Sequence, residues 1–257
     1  MYLAQAAPAD LAPWVDCVWS LSLVSGPGWG EVAPADLHGD LVLSLGGPFG
    51  VGDSGASAGS CWLGPRSAPL RFRHSAGNQL FGIRFKPGGA AAFFGMDARA
   101  LVGWQTTGSA TPWTKLLDVM AQQLDAGRPE LRGVWGALRS VDPSRCVIEQ
   151  RLLGALEHQL PGFRVAAFAR QLGLTERTLQ RRCLSSFGVG PKLLHRIRRA
   201  QAARDLLDRD RPGAEIAHRL GFVDQAHLCN ELRALQGTTP TAPRVDPVVC
   251  RISPSRR

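Results

Sequence analysis

Arg177, Gln180 and Arg181 fall within a five-residue stretch of this 257-residue chain, flanked by Thr175, Glu176 and Thr178. Their groups suit the edges of bases. A guanidinium can donate two parallel hydrogen bonds to O6 and N7 of guanine, and a carboxamide can pair with N6 and N7 of adenine. A second polar cluster follows 49 residues later: Asp224, Gln225, Ala226, His227, Asn230 and Arg233. None of these residues forms a nucleophile–base pair, so the chemistry they offer is recognition.

The elements that must carry the clusters are related by an internal repeat. Phe168-Ala169, Leu172-Gly173 and Leu174 match Ile216-Ala217, Leu220-Gly221 and Phe222. After one extra residue in the second copy, Thr175, Leu179, Gly188 and Pro191 match Asp224, Leu228, Gly237 and Pro240. In each copy a short helix ends in Leu-Gly, where glycine can take the left-handed conformation of a sharp turn. An apolar residue then fills the angle, and Thr175 or Asp224 caps a second helix. Leu179, Cys183 and Phe187 recur at i, i+4, i+8, the inner stripe of that helix, leaving Glu176, Arg177, Gln180 and Arg181 on the other face. This is helix-turn-helix geometry, in which the second helix enters the major groove. Between the copies, Lys192–Leu207 carries Leu193, Leu194, Ile197, Ala200, Ala203 and Leu207 at helical spacing. The pattern predicts a connecting helix with one buried stripe, and Pro191 suits its first turn.

With these motifs in order, about Val147 to Pro240 resembles the DNA-binding domain of the AraC/XylS family of bacterial transcription regulators. The residues that carry the resemblance are FA-x-x-LGL-x-x-R-x-LQRR, G-x-x-PK, EIA-x-x-LGF-x-DQAHL and L-x-x-x-x-G-x-TP. It implies two recognition helices reading successive major-groove segments on one face of double-stranded DNA. It assigns Thr175, Glu176, Arg177, Thr178, Gln180 and Arg181, with Asp224, Gln225, Ala226, His227, Asn230 and Arg233, to the DNA interface. The chain departs from the family pattern where a core Phe is common, with Cys183 in the first copy and Leu232 in the second. Asn230 stands at a frequently basic position and Glu231 follows it. The second recognition helix then sets Asp224 and Glu231 against Arg233, so the first unit is expected to supply most of the affinity.

Charge divides the chain in the same place. Residues 1–143 hold 10 Lys and Arg against 11 Asp and Glu, whereas residues 144–257 hold 20 against 10, so the net charge of +9 resides wholly in the second half. A basic module attached to a neutral one points to a polyanion. Asp142-Pro143 marks the expected boundary: residues 1–141 one domain, 142–243 the double helix-turn-helix, and 244–257, rich in Pro, a disordered tail. The expected class is α+β, a β-rich and in the wider family cupin-like domain followed by an all-α one. Strands are read at Cys17–Val24, Asp40–Leu45, Leu70–Arg73 and Leu80–Phe85. Helices are read at Gly88–Phe94, Trp113–Leu124 and Cys146–Leu160, and a long loop at Gly46–Ser60. All seven tryptophans (14, 19, 29, 62, 104, 113, 135) lie in the first half and are read as core. The stretches DLHGDLVLSLGGPF, GPRSAPLRFRH and LFGIRFKPGGAAAFFG resemble the poorly characterised N-terminal domain of one AraC subgroup. That resemblance leaves a small-molecule effector, RNA polymerase and a second copy of the chain open as partners.

Other chemistry has less support. Asp36, His38 and Asp40, with His74, would need to converge to hold a metal, and a turn entering a strand explains them more simply. Gly46–Gly59 lacks the G-K-[ST] of a phosphate loop. Ser60 and Cys61 sit in no catalytic context. His227 and Cys229, at i, i+2, face different sides of a helix. The six cysteines include no C-x-x-C pair, and Cys17 and Cys61 alone precede the basic half. A DNA-alkylation repair enzyme fused to an AraC-like domain, which needs a four-thiolate zinc site, is therefore disfavoured. A protein-binding module whose basic surface is incidental is the remaining alternative. No enzyme activity and no cofactor or metal is expected. Lacking a signal-peptide pattern or an apolar run of membrane length, the chain reads as cytoplasmic, with reduced thiols.

Overall fold

The structure is a computed structural model that describes residues 2–22, 29–45, 49–52, 57–74, 77–106, 113–125, 131–140, 150–157 and 161–237, with single residues 47, 159 and 239. The boundary expected at Asp142 and the tail expected from residue 244 lie outside the described residues. Two antiparallel sheets formed within residues 2–106, with one short helix ahead of the last strand, are followed by a series of helices, as the α+β expectation requires.

The larger sheet has the strand order β1-β2-β9-β4-β7-β10. Its members are β1 (Tyr2–Ala6), β2 (Val15–Ser22), β4 (Gly39–Leu45), β7 (Ser60–Leu63), β9 (Gln79–Phe85) and β10 (Trp104–Thr106). The smaller sheet, β3-β8-β5-β6, comprises β3 (Trp29–Ala33), β5 (Phe49–Val51), β6 (Ser57–Ala58) and β8 (Leu70–His74). Successive side chains of a strand point to opposite faces, and here both faces of the larger sheet are covered. Val18, Leu41, Trp62, Phe81, Ile83 and Phe85 form one apolar face. Against it pack α1 (Gly89–Phe94), α2 (Thr114–Asp125) and α3 (Leu131–Arg139). Trp113, just before α2, stacks on Trp62 with ring centroids 5.3 Å apart. The opposite face, with Cys17, Trp19, Val42 and Cys61, meets Phe49, Val51 and Phe72 of the smaller sheet.

That second packing layer corrects the reading of Gly46–Ser60 as a loop. The segment holds β5, β6 and the first residue of β7. Phe49 and Val51 alternate into the core, and β5 pairs with β8 at Gly50–Arg73 and Val51–Phe72. Burial of two apolar side chains outweighs the local glycine content, which by itself favours a turn.

The helical half consists of α4 (Gln150–Glu157), α5 (Val165–Gln171), α6 (Glu176–Phe187), α7 (Pro191–Leu207), α8 (Gly213–Arg219) and α9 (Gln225–Gln236). Its core takes Leu152, Phe168, Leu179, Cys183, Phe187, Leu194, Ile197, Leu228 and Leu232. Residues 146–149, where the fourth helix was expected to begin, lie outside the described residues. On α7 the buried stripe is Leu194, Ile197, Ala200 and Ala203. Leu193 and Leu207, expected to be buried, are only partly so and pack on its margin.

The halves share a core. Ala35 and Leu37, on the loop after β3, belong to the helical cluster, and the Ala35 N–H donates to the carbonyl of Leu235 at 2.6 Å. Beside them lies a buried ionic cluster. Arg84 donates to Asp40 at 2.7 Å and also to Asp36, and Gln201 of α7 donates to Asp36 at 3.3 Å. Burial would raise the Asp36 carboxyl, but His38, Arg84 and Arg66 around it hold it well below the usual range. Asp40 is pushed up by burial despite its hydrogen bond to Arg84.

Candidate nucleic-acid interface

Helices α6 and α9 are each fixed at both ends by the sequence that encodes them. Thr175 caps α6, its Oγ1 accepting from the Thr178 N–H at 3.1 Å and donating to the Thr178 hydroxyl at 2.9 Å. Asp224 caps α9 by accepting from the His227 N–H at 2.7 Å. These bonds satisfy donors that a helix start leaves without partners. The turns before the caps place Gly173 and Gly221 at φ +67° and +70°, and the C-caps Gly188 and Gly237 have φ +73° and +67°. Side chains other than glycine are strained in that region.

The C-caps also meet the N-terminal half. A Cβ at Gly188 would stand 2.5 Å from Val102 Cγ2 and 2.9 Å from the Ala98 carbonyl, in and just after the 3-10 turn Ala98–Leu101. A Cβ at Gly237 would stand 3.0 Å from Val32 and 3.2 Å from Pro69. Both α6 and α9 therefore end against the same β-rich body.

On α6 the inner stripe is Leu179, Cys183 and Phe187. Glu176, Arg177, Gln180 and Arg181 are exposed, and Thr178 is half-buried. Arg177 and Arg181 make no hydrogen bond or ion pair among the described residues, so their donors face solvent. Gln180 lies back over the start of α7, where a Cβ at Gly190 would approach its amide nitrogen to 2.9 Å. Thr175 and Thr178 are occupied with each other as a cap.

On α9, Asp224, Gln225, Ala226, Asn230 and Arg233 are exposed and His227 is half-buried. Arg233 donates to the Asn230 Oδ1 at 3.1 Å, which leaves the Asn230 amide N–H groups available. The His227 Nδ1 accepts from the Val223 N–H at 3.3 Å, so a neutral ring carries its proton on Nε2. Its ring stands edge-on to Phe222 at 5.4 Å. Gln225 folds towards Gly213, whose added Cβ would lie 3.0 Å from the amide nitrogen.

Glu231 does not weaken this face in the way its sequence position suggests. It is buried and turned inward, accepting from Arg196 Nε at 2.9 Å and Nη2 at 2.6 Å and from Arg199 at 3.4 Å. The Arg196 hydrogen bond holds its carboxyl below the usual value. Arg199 in turn lies 4.1 Å over the Phe222 ring and donates to the Gly221 carbonyl at 3.3 Å. Sequence reasoning counted Glu231 as exposed charge and passed over Arg196 and Arg199. Their i, i+3 spacing on the linker helix was the available signal.

The residues weighed for metal or thiol chemistry are used structurally. Asp36 and Asp40 hold Arg84. Cys17 and Cys61 lie in the sheet–sheet core and Cys183 in the helical core, and burial pushes the Cys17 thiol up. Among the described residues no helix is long and apolar enough to cross a membrane.

Comparison with known proteins agrees with both halves. Residues 168–244 match the model of a helix-turn-helix domain, and residues 5–106 match a domain of unknown function, DUF6597. The HTH-type transcriptional regulator VirS of Mycobacterium tuberculosis is 36% identical over 100 residues, 38% of this chain and 29% of that protein. The chain thus matches less than a third of the length of this relative. Among solved structures, ToxT from Vibrio cholerae with an unsaturated fatty acid bound has a TM-score of 0.48 at 11% identity, covering 87% of this chain and 92% of that one. The AraC-like transcriptional activator CuxR has a TM-score of 0.34 at 12% identity, covering 79% and 86%.

Proposed function

We propose that this chain is an AraC/XylS-type helix-turn-helix transcription regulator, as the helix-turn-helix match and the VirS relative support, and that it reads a specific double-stranded DNA site with α6 and α9. The observation that carries the reading is the outer face of α6. Arg177 and Arg181 project from a capped helix with their donors unengaged, while Leu179, Cys183 and Phe187 anchor its other side. Arg177 and Arg181 take the base-reading role. Asn230, His227 and Arg233 supply the second contact, and Thr175, Thr178 and Asp224 serve chiefly to cap. The relatives matched in sequence are named as transcriptional regulators.

The DNA-binding unit is residues 142–243, and the first 141 residues modulate it. Support for modulation comes from the contacts already described. The N-terminal half abuts the C-caps of both recognition helices and reaches α7 through Asp36 and Gln201. An effector that shifts the loop carrying Ala35–Leu37 thereby bears on the spacing of the two helices. The same half offers a surface for a second copy. Among the described residues β1 is an edge strand, and its residues Leu3–Ala6 are exposed and uncharged, with Leu3 at 54%. An unpaired edge of this kind accepts another strand. The location in the cytoplasm follows from the DNA reading.

The test is selection of duplexes from a randomised pool by the full chain, followed by titration of the selected duplex with Arg177→Ala and Arg181→Ala. Each substitution is expected to cost about 1–3 kcal/mol and to relax preference at one base position. Unchanged affinity and unchanged preference in both variants would remove α6 from the interface.

A further inference from the structure

Between the two helix-turn-helix units lies an open recess of about 680 Å³ whose walls include Arg164, Lys192, Arg196, Arg199, His227 and Asn230. We infer that this recess is a binding site for a backbone phosphate of the DNA, at the stretch that passes between the two major-groove segments. The inference rests on the DNA-reading function proposed above and deepens it.

Its construction argues for an anion. Four Lys and Arg side chains face it against one carboxylate, Glu231, which is already held by Arg196 and Arg199. Arg164 and Lys192 are exposed and make no ion pair or hydrogen bond through their side chains among the described residues. The site is also braced. Phe163 stacks flat on His195 of α7, with centroids 4.4 Å apart and planes 9° from parallel, which fixes the residue next to Arg164. The preceding loop reaches the second unit, where a Cβ at Gly221 would stand 3.1 Å from Pro161 Cα. The recess therefore exists only when both units are docked.

Position argues for DNA as the source of that anion. His227 and Asn230 line the recess from α9 and belong to the face that meets the groove. Phosphates bordering a groove flank any helix seated in it, and contacts to them set register without carrying sequence information. Lys192 and Arg196, one turn apart on the linker helix, and Arg164, on the segment entering the first unit, supply cations from both sides.

The experiment uses the full chain and a duplex selected by it from a randomised pool, with a scrambled duplex alongside. Affinities are measured across a sodium chloride series for the parent, Arg164→Ala, Lys192→Ala, the double variant and Lys192→Arg. Loss of one phosphate contact should flatten the slope of log K against log salt by about 0.9. Binding to both duplexes should weaken alike with their ratio unchanged, and Lys192→Arg should retain the parent slope. Both altered side chains are exposed, so thermal melting should match the parent and separate lost contacts from lost folding. A double variant with the parent's slope and affinity overturns the phosphate site while leaving the DNA-reading function intact. A parent that selects no duplex overturns both. Stabilisation of the parent but not the double variant by inorganic phosphate, with DNA binding unaffected, identifies a free anion as the occupant and overturns the assignment to DNA.

Discussion

Glu231 grips Arg196 across the junction of α7 and α9 with two hydrogen bonds, 2.9 Å to Oε1 and 2.6 Å to Oε2. A carboxylate on the second recognition helix thus serves as its attachment to the linker helix. Because Arg199 shares the same carboxylate and stacks on Phe222, one acidic residue ties the turn, the recognition helix and the linker together.

The hydrogen bond from Arg196 lowers the Glu231 carboxyl from its usual 4.5. A group whose folded value is depressed contributes stability that is present above the unfolded value and lost as pH falls through the folded one. Thermal stability should therefore decline below about pH 4.5 with a component that Glu231→Gln lacks. At neutral pH the substitution should cost about 1–2 kcal/mol, less than a fully buried pair because Arg196 is partly exposed. Melting curves of both proteins between pH 3 and 7 measure this, and parallel curves over the whole range count against it.

Gly188 and Gly173 share a left-handed backbone but not their surroundings. A Cβ at Gly173 meets nothing within 4 Å, whereas one at Gly188 meets Val102 and Ala98. Gly173→Ala should cost about 1–2 kcal/mol from backbone strain, and Gly188→Ala distinctly more. Equal losses in urea denaturation would mean that the first recognition helix does not rest on the N-terminal half.

Arg84 is buried and bonded to both Asp36 and Asp40. Replacing it with Met leaves two buried carboxylates without their shared counter-charge. Such losses typically cost about 3–5 kcal/mol. The variant should melt well below the parent, and its shortfall should shrink on acidification as the carboxylates take up protons. A shortfall that is constant with pH would argue that lost packing, not charge, is responsible.

If a second copy pairs along β1, charge on that strand should oppose it. Leu3→Lys with Gln5→Lys is expected to shift the sedimentation of the full chain from dimer to monomer without lowering its melting temperature by more than a degree or two, since both positions are exposed. A parent that sediments as a monomer at micromolar concentration rules out this edge as a stable interface.

What the sequence determined by itself is the helical half. Caps, turn glycines and inner stripes are local devices with a fixed spacing, so Thr175, Gly173, Leu179 and their counterparts in the second copy located α5, α6, α8 and α9 without reference to anything distant. The strands with continuous apolar runs, β2, β4 and β9, were legible for a similar reason, being covered on both faces. Tertiary structure alone decided the rest. β5 forms out of a glycine-rich stretch because Phe49 and Val51 find Phe72 on a strand, 23 and 21 residues further along the chain. Leu193 lies beside and not within the buried stripe because α7 turns Leu194 and Ile197 to the core. Glu231 changes from a repulsive surface charge to a structural tie because Arg196, 35 residues earlier, lies opposite it. The seating of both recognition helices on the N-terminal half was equally hidden, since Ala35, Gly88 and Val102 carry no signal until the chain brings them against Leu235, Phe187 and Gly188. Charge and burial are properties of neighbours in space, and neighbours distant in sequence are assigned only when the chain folds.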